Sequence, residues 1–312
     1  GIVADERRHS LSDFDSFEKA LAWLEEHEPQ CHKAIMDLGA RKCDFHALKK
    51  LAFGCKQMYS PDRWCVTGNA SVFHDPFYSP GSDVIVFNNT YITSLIVKDL
   101  AGENIDRLVE RYNKGFFEYM VEPIFKLYED KYLMMANSQI FCAKIIWDDY
   151  WYWAVPCLLF FQDKLTDLDF VESVEDDIER ANALSERMQA MFLQWNELDS
   201  GSTTRGAYVD LNDYTTLTRA HDEMGEVWTE EELRANIGTN VELLEDLAKE
   251  IFWRAVRVLP DPPLRQNINP YAISLDPDRW REDGLFVGEP EIERNPEMCK
   301  ELLSMWFEPT YC

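Results

Sequence analysis

Glycine is scarce in this chain, and no two glycines stand in the spacing G-x-G. The sequence holds 13 glycines in 312 residues. The G-x-G-x-x-G fingerprint, whose small residues let the backbone approach a pyrophosphate, is therefore missing from this stretch. Residues 1–312 consequently do not contain the phosphate-binding turn of a dinucleotide-binding unit.

Positive charge is also in short supply. Lys and Arg number 31 against 57 Asp and Glu, which gives a formal net charge of −26. Such a surface repels phosphate backbones and anionic lipid headgroups. We therefore expect neither a nucleic acid nor a membrane among the partners of this chain.

No apolar run reaches the length of a transmembrane helix, and the first residues, GIVADERRHS, are too charged for a signal peptide. These absences predict a cytoplasmic protein. The eight cysteines are scattered and include no C-x-x-C pair. Reduced thiols are therefore favoured over a disulfide framework.

One cluster of potential metal ligands remains. Cys31, His32, Cys43 and His46 lie close together in the sequence, with His27 just before them, and zinc binds both residue types. Their spacing lacks the paired cysteines of a structural zinc site. Ordinary packed or surface residues are the favoured interpretation, and we predict no metal site.

The chain does contain strong helical periodicity. Its 46% hydrophobic and 13% aromatic residues are typical of a globular protein. Thr229 and Glu232 have the spacing of a capping box, which marks the start of a helix. The recurrence of apolar residues predicts helices at 12–26, 31–36, 83–100, 105–134, 137–164, 171–199, 211–223, 229–258 and 297–306.

Strand signals are few and lie early in the chain. Residues 64–67 predict a short buried strand, whereas 259–296 is rich in proline and predicts an ordered loop or arm. We therefore predict an α+β, predominantly helical fold with two domains, 1–100 and 101–312. A stable sheet needs more strands than the first domain provides. Residues 1–100 therefore look like the C-terminal part of a larger domain that contains a sheet.

The segment 67–96 reads TGNASVFHDPFYSPGSDVIVFNNTYITSLI and combines a glycine turn, a proline-fixed loop and a helix. Gly68 lets the backbone come close to a ligand, and Asn69 offers both a donor and an acceptor. We expect Gly81 to adopt a positive φ and Asp83 to open the helix. The partial positive charge of a helix N-terminus suits a bulky anionic cofactor.

This string resembles the flavin-contacting segment of the FAD-dependent halogenase and flavin monooxygenase family, in which G-D/E/N-A precedes D-P-x-x-S-P-G and a helix. The strings FEKALAWLEEHEP, KQMYSPDRW and GIVADE also resemble family sequence. The resemblance implies a C-terminal half of such an enzyme, with a remnant of the FAD-binding domain at 1–100 and a helical C-terminal domain at 101–312. By the same resemblance, the residues that line the FAD site are Gly68, Asn69, Asp75, Pro76, Ser79, Pro80 and Gly81.

The resemblance further implies FAD as cofactor and flavin hydroperoxide chemistry on a small organic, by expectation aromatic, substrate. This chemistry either oxidises halide or hydroxylates the substrate directly. The implied partners are a flavin reductase or a chain that supplies the dinucleotide-binding half. His74 and Tyr78 are candidate catalytic residues within the motif, although tryptophan halogenases have a glutamate where this chain has Tyr78.

The alternative is a non-catalytic helical interaction protein derived from the same scaffold. The missing glycine fingerprint and the acidic surface favour this interpretation.

A second string, WYWAVP at 151–156, fits a W-x-W-x-V-P pattern similar to one that the family carries before the Asp-Pro loop. Here it follows the loop, within an aromatic run, so a packed aromatic helix is the favoured interpretation. Asp148 and Asp149 stand beside it. Adjacent residues diverge around a helix, so we predict solvation or capping for these carboxylates rather than a catalytic pair.

Overall fold

The computed structural model of the chain describes residues 1–199 and 210–258. Two short strands, β1 (Tyr59–Ser60) and β2 (Trp64–Cys65), precede most of the helices. The predicted arm at 259–296 and the predicted helix at 297–306 lie outside the described residues. The α-helices are α1 (Phe17–His27), α2 (Pro29–Asp37), α3 (Pro80–Leu100), α4 (Asp106–Phe116), α5 (Glu122–Tyr128), α6 (Ser138–Tyr152), α7 (Leu158–Phe161), α8 (Leu168–Ser173), α9 (Glu175–Leu198), α10 (Thr215–Glu223) and α11 (Glu230–Val258).

Local capping decides where the first helix begins. The predicted helix 12–26 begins instead at Phe17, because Ser16 accepts a hydrogen bond from the Lys19 N–H at 3.3 Å. The residues before it, Leu11–Asp13, form a separate 3-10 turn. The start of α1 is therefore set by Ser16, the serine that directly precedes the first helical residue.

The capping box at the start of α11 is confirmed. The Thr229 N–H donates to Glu232 Oε2 at 2.9 Å, and the Glu232 N–H donates to Thr229 Oγ1 at 3.3 Å. These reciprocal bonds satisfy two N–H groups that have no partner within the helix.

The helix α3 begins earlier than predicted. We expected Asp83 to open it, but it starts at Pro80, with Ser79 as the N-cap. Proline suits the first helical position, where the missing N–H costs no intrahelical bond. The helix ends at Leu100. Gly102 follows it with a φ of +81°, and its N–H donates to the Asp99 carbonyl at 2.9 Å.

Two π turns divide helices that the sequence predicts to be continuous. Phe117–Val121 joins α4 to α5, and Trp153–Cys157 joins α6 to α7. Pro156 lies inside the second turn. Because proline has no N–H, the wider turn accommodates the hydrogen bond that an α-helix would lose there. The predicted helices 105–134 and 137–164 are each interrupted in this way.

The core is centred on α6, α9 and α11, which pack against one another. Its large side chains include Trp147 and Trp151 of α6, Phe192 and Trp195 of α9 and Phe252 of α11, all of them buried. The predicted packed aromatic helix is therefore confirmed. Rings of this size bury large apolar areas and dominate the packing energy of such a core.

The strand prediction was only partly right. β1 and β2 pair antiparallel, with Tyr59 opposite Cys65 and Ser60 opposite Trp64. The predicted buried strand 64–67 is limited to its first two residues, and both are exposed. Their partner strand is the buried one, because it packs against α4.

The predicted α+β, predominantly helical class is confirmed. Buried residues on both sides of position 100, such as Phe87 on α3 and Ile251 on α11, belong to one hydrophobic core. The division into domains 1–100 and 101–312 stays a prediction.

Within residues 1–199 and 210–258, no helix combines the length and apolar character needed to cross a bilayer. The same residues contain no group of three or more side chains placed to hold a metal ion. The six cysteines in this described part of the chain are free thiols, and Cys157 is the buried one among them.

Candidate functional site

The turn at Gly68 packs against the first half of α3. Gly68–Ala70 forms a 3-10 turn, and Gly68 is buried with a φ of +54°. A Cβ added at Gly68 would stand 2.9 Å from Ile85 Cγ1. Glycine is therefore required by the left-handed backbone and by the close approach of α3. The space beside Gly68 is filled by the chain itself.

The loop after this turn contains two consecutive left-handed residues that are not glycine. Tyr78 has a φ of +62° and Ser79 a φ of +58°. This conformation costs an L-residue about 1–2 kcal/mol, so it persists only where the surroundings impose it. Gly81, which we expected to supply the positive φ, lies in the first turn of α3 instead.

Two tyrosines hold the loop from the helical side. The Tyr132 hydroxyl lies 2.8 Å from both carboxylate oxygens of Asp75, and the Tyr128 hydroxyl donates to the Phe77 carbonyl at 2.5 Å. Asp75 also accepts the Phe77 N–H at 2.9 Å. This last bond closes an Asx turn, which explains why an aspartate stands before the proline.

A buried ionic cluster forms the third attachment. The Tyr78 hydroxyl donates to Asp148 Oδ2 at 3.1 Å, and Gln189 Nε2 donates to Asp148 Oδ1 at 2.9 Å. Lys144 pairs with the same carboxylate, one turn earlier on α6, and its side chain is fully buried. The Lys144 ammonium also lies 5.8 Å from the centre of the Tyr78 ring, within reach of a cation–π interaction. We call Tyr78, Lys144, Asp148 and Gln189 the Asp148 cluster.

Several groups in and beside the Asp148 cluster have shifted protonation equilibria. Burial raises the pKa of Asp148 and lowers the pKa of Lys144, while their mutual attraction opposes both shifts. Burial and the neighbouring Asp148 charge raise the pKa of Asp149 to about 7. Burial lowers the pKa of Lys131 to about 8. The predicted solvation of Asp148 was wrong, since this carboxylate is 2% exposed.

His74 is enclosed rather than presented to a substrate. Its ring lies 4.2 Å from the Phe125 ring, and its Nε2 lies 3.4 Å from the Val121 carbonyl. Burial lowers the pKa of His74 to about 4, so the imidazole is neutral at pH 7. These contacts favour a structural role for His74 over the catalytic role considered from the sequence.

The opposite side of the motif is open. Asn69, Pro76 and Ser79 are exposed, and Gly81 is partly exposed. We call Asn69, Ser79 and Gly81 the rim. A Cβ added at Gly81 would lie 3.9 Å from Asn69 Oδ1, so the turn and the start of α3 are neighbours. No side chain caps the α3 N-terminus, which leaves its first N–H groups free of a side-chain acceptor.

Of the seven residues predicted to line a flavin, the structure exposes or half-exposes five. Gly68 and Pro80 are buried. The side chains that fix the loop were missed from the sequence because they lie far along the chain. One signal was present: Lys144 and Asp148 stand four apart in an otherwise apolar run, the spacing of a helical ion pair.

Relief of the backbone strain can be tested at Ser79. Replacing Ser79 with glycine is expected to raise the free energy of unfolding by about 0.5–1 kcal/mol, because glycine adopts a left-handed φ freely. The Ser79 side chain makes no capping bond that would be lost. Ser82→Gly, at the third residue of α3, is expected to lower the free energy of unfolding by about 0.5 kcal/mol. Urea denaturation measures both, and destabilisation by both variants would show that Ser79 is not strained.

Part of the sequence is similar to a flavin-dependent halogenase. The chain is 27% identical over 146 residues to the flavin-dependent halogenase chlA of Dictyostelium discoideum. The matched region is 46% of this chain and 24% of that halogenase. No family model and no solved structure matches the chain. The matched region is thus about a quarter of the length of that flavin-dependent halogenase.

Proposed function

We propose that this chain supplies the ring-facing side of a flavin-dependent, halogenase-like oxidoreductase whose cofactor is FAD. The observation that carries the proposal is the asymmetry of the 68–81 segment. Its inner side is fixed by Tyr128, Tyr132 and Asp148, while the rim is left open. A loop that is held in a strained shape with one free side is typical of a preorganised binding site.

The rim has the chemistry that a flavin ring requires. The Asn69 amide offers a donor and an acceptor, and the first N–H groups of α3 are not capped by a side chain. The pyrimidine edge of the ring carries carbonyl and ring-nitrogen acceptors. The positive end of the α3 dipole would stabilise negative charge on that edge when the ring is reduced.

When bound, a reduced flavin supplies the reaction with molecular oxygen that yields the oxidant for a halide or an organic substrate. The residues of this chain would bind the ring and fix the loop around it. Asn69 and the start of α3 would bind and orient the ring, and the Asp148 cluster would keep the loop from relaxing. The FAD pyrophosphate needs a glycine-rich turn that these residues do not contain, so a dinucleotide-binding part and a source of reduced flavin complete the proposed system.

The proposal predicts weak binding that depends on the ring alone. Riboflavin and FAD should bind the 312-residue chain with similar dissociation constants of about 0.1–1 mM, because the chain offers no phosphate site. Gly81→Leu should abolish binding, since its side chain would project at the rim. The variant should keep its thermal stability, because leucine is a better helix former than glycine. Quenching of flavin fluorescence measures the affinity.

The matched control is Gly54→Leu, at an exposed position with no heavy atom within 4 Å of the added Cβ. This variant should bind riboflavin like the unaltered chain. If FAD does not bind at millimolar concentration, or if riboflavin binds Gly81→Leu unchanged, the rim does not face a flavin.

A further inference from the structure

The outer side of α6 is neither fully solvated nor covered. From Phe141 to Trp153 every residue is buried except six, and each of these six is half-exposed rather than fully exposed. Successive members are one, three or four positions apart in the sequence, so they share one side of the helix. We call these residues the α6 strip: Phe141, Cys142, Ile145, Asp149, Tyr152 and Trp153.

Asp149 is the charged residue of the α6 strip, and it has no partner of its own. Within residues 1–199 and 210–258, its carboxylate forms neither an ion pair nor a side-chain hydrogen bond. The Lys144 ammonium is paired with Asp148 instead. Burial without a cation makes the ionised form unfavourable, and the pKa of Asp149 is accordingly raised to about 7. A cation bound beside Asp149 would remove this penalty.

The α6 strip begins beside the motif. The centre of the Phe141 ring lies 5.6 Å from the centre of the Phe77 ring, in the Asp-Pro loop. Ser79 of the rim follows Phe77 by two residues. At the other end of the strip, the Trp153 ring lies 4.9 Å from the His221 ring of α10. A small molecule held on the strip would therefore lie between the loop and α10, next to the rim.

We propose that the α6 strip is the substrate subsite of the oxidoreductase, and that it recognises an aromatic molecule that carries a protonated amine. Asp149 would pair with the ammonium group, while the apolar side chains of the strip would contact the rest of the molecule. The inference rests on the proposed function and names the substrate class at that site.

The composition of the strip selects this class of ligand. A carboxylate forms charge-assisted hydrogen bonds with an ammonium group, and aromatic rings attract a cation over their faces. One unpaired carboxylate matches one positive charge. A metal ion needs more ligands, and in the described part of the chain no three side chains are placed to hold one. A ligand with a carboxylate or phosphate group would be repelled by Asp149.

The test compares two ligands that differ in charge but hardly in shape. At pH 8, above the pKa of Asp149, 2-phenylethylamine should bind the 312-residue chain with a dissociation constant of about 1 mM. Its neutral counterpart, 2-phenylethanol, should bind at least about fivefold more weakly, because it cannot form the ion pair. Ligand-observed NMR titrations measure both affinities.

Asp149→Asn should remove the preference for the amine. Asparagine keeps the shape of the side chain and removes its charge, so the alcohol should bind the variant as it binds the unaltered chain. The control is Asp176→Asn, which removes a carboxylate from an exposed position on α9, outside the α6 strip. This control should keep the full preference, which separates the effect of Asp149 from the loss of one negative charge.

The outcomes separate the subsite from the cofactor. Equal affinities of the unaltered chain for the amine and the alcohol, or a preference that survives Asp149→Asn, overturn the inference. Flavin binding at the rim is measured with no amine present, so it leaves the proposed function standing in either case. Amine binding through Asp149 in a chain that binds no flavin overturns the proposed function and, with it, the assignment of the strip as a substrate subsite.

Discussion

Replacing Lys144 with methionine is expected to lower the free energy of unfolding by about 3–5 kcal/mol, because the change leaves Asp148 as an uncompensated buried charge. The Lys144 side chain is fully buried, and that of Asp148 is 2% exposed. Methionine keeps most of the volume, so the loss reflects charge rather than a cavity. Guanidinium denaturation monitored by tryptophan fluorescence measures the change.

The chain offers a matched control at Lys33. Lys33 and Asp37 have the same i,i+4 spacing on α2, but their side chains are 73% and 62% exposed. Lys33→Met should change the stability by no more than about 0.5 kcal/mol, since solvent screens such a pair. Similar losses for the two methionine variants would mean that burial of the Lys144 pair is not what makes it important.

A double variant separates the pair from its surroundings. Lys144→Met combined with Asp148→Asn removes both charges, so it should lose less stability than the sum of the two single changes. Asparagine at this position can still accept from Gln189 through its carbonyl oxygen, and its NH2 group can donate to the Tyr78 hydroxyl. Strict additivity of the two losses would contradict a direct interaction between Lys144 and Asp148.

The contribution of Asp149 to the free energy of unfolding is expected to fall as the pH rises from about 4 to 7. Its pKa is raised to about 7 in the folded chain, against about 3.9 in an unfolded chain. The folded state therefore binds the proton more tightly. This contribution is fully present below about pH 4 and is lost as the pH rises through 7.

Asp149→Asn should remove this dependence, because asparagine imitates the protonated carboxyl group. At pH 8 the variant should be roughly 2–4 kcal/mol more stable than the unaltered chain, and at pH 4 the two should be equal. His74 is present in both proteins, so its contribution cancels in the difference between them. That contribution has the opposite sign, because the lowered pKa of the buried His74 makes stability rise with pH in the acidic range. Chemical denaturation at a series of pH values supplies the measurement.

Asp222→Asn serves as the control for this series, since the Asp222 side chain is 81% exposed. A plot of its free energy of unfolding against pH should run parallel to that of the unaltered chain. If Asp149→Asn also runs parallel, Asp149 does not titrate near neutrality in the folded protein.

The sequence was a good guide wherever structure depends on neighbours along the chain. The Thr229 capping box and the packing of the Trp147 and Trp151 helix are local patterns, and both are confirmed. The helical periodicity is confirmed for the described part of the second half, up to residue 258. The start of α1 was misplaced because Ser12 and Ser16 look alike as caps, and only the fold decides between them. The division at Trp153–Cys157 could have been expected from Pro156, which cannot continue an α-helix undisturbed.

Prediction failed where structure depends on distant residues. The positive φ was assigned to Gly81 on propensity, whereas the structure imposes it on Tyr78 and Ser79. Asp148 was assigned to solvation or capping because adjacent residues diverge around a helix. A buried carboxylate is tolerated there only because Lys144 and Gln189 come together around it, and pairing between α6 and α9 cannot be predicted from the local sequence of either helix.

The anchors of the Asp-Pro loop have a consequence for the order of folding. The residues that fix its shape follow it by 51, 57 and 70 positions in the chain, at Tyr128, Tyr132 and Asp148. Contacts of such long range form only after the intervening chain has been organised. We therefore expect the bend to be among the last features to form during folding, because its own residues alone do not fix its shape. A sequence search for proteins with the same bend is more selective when it requires those three later residues together with the motif.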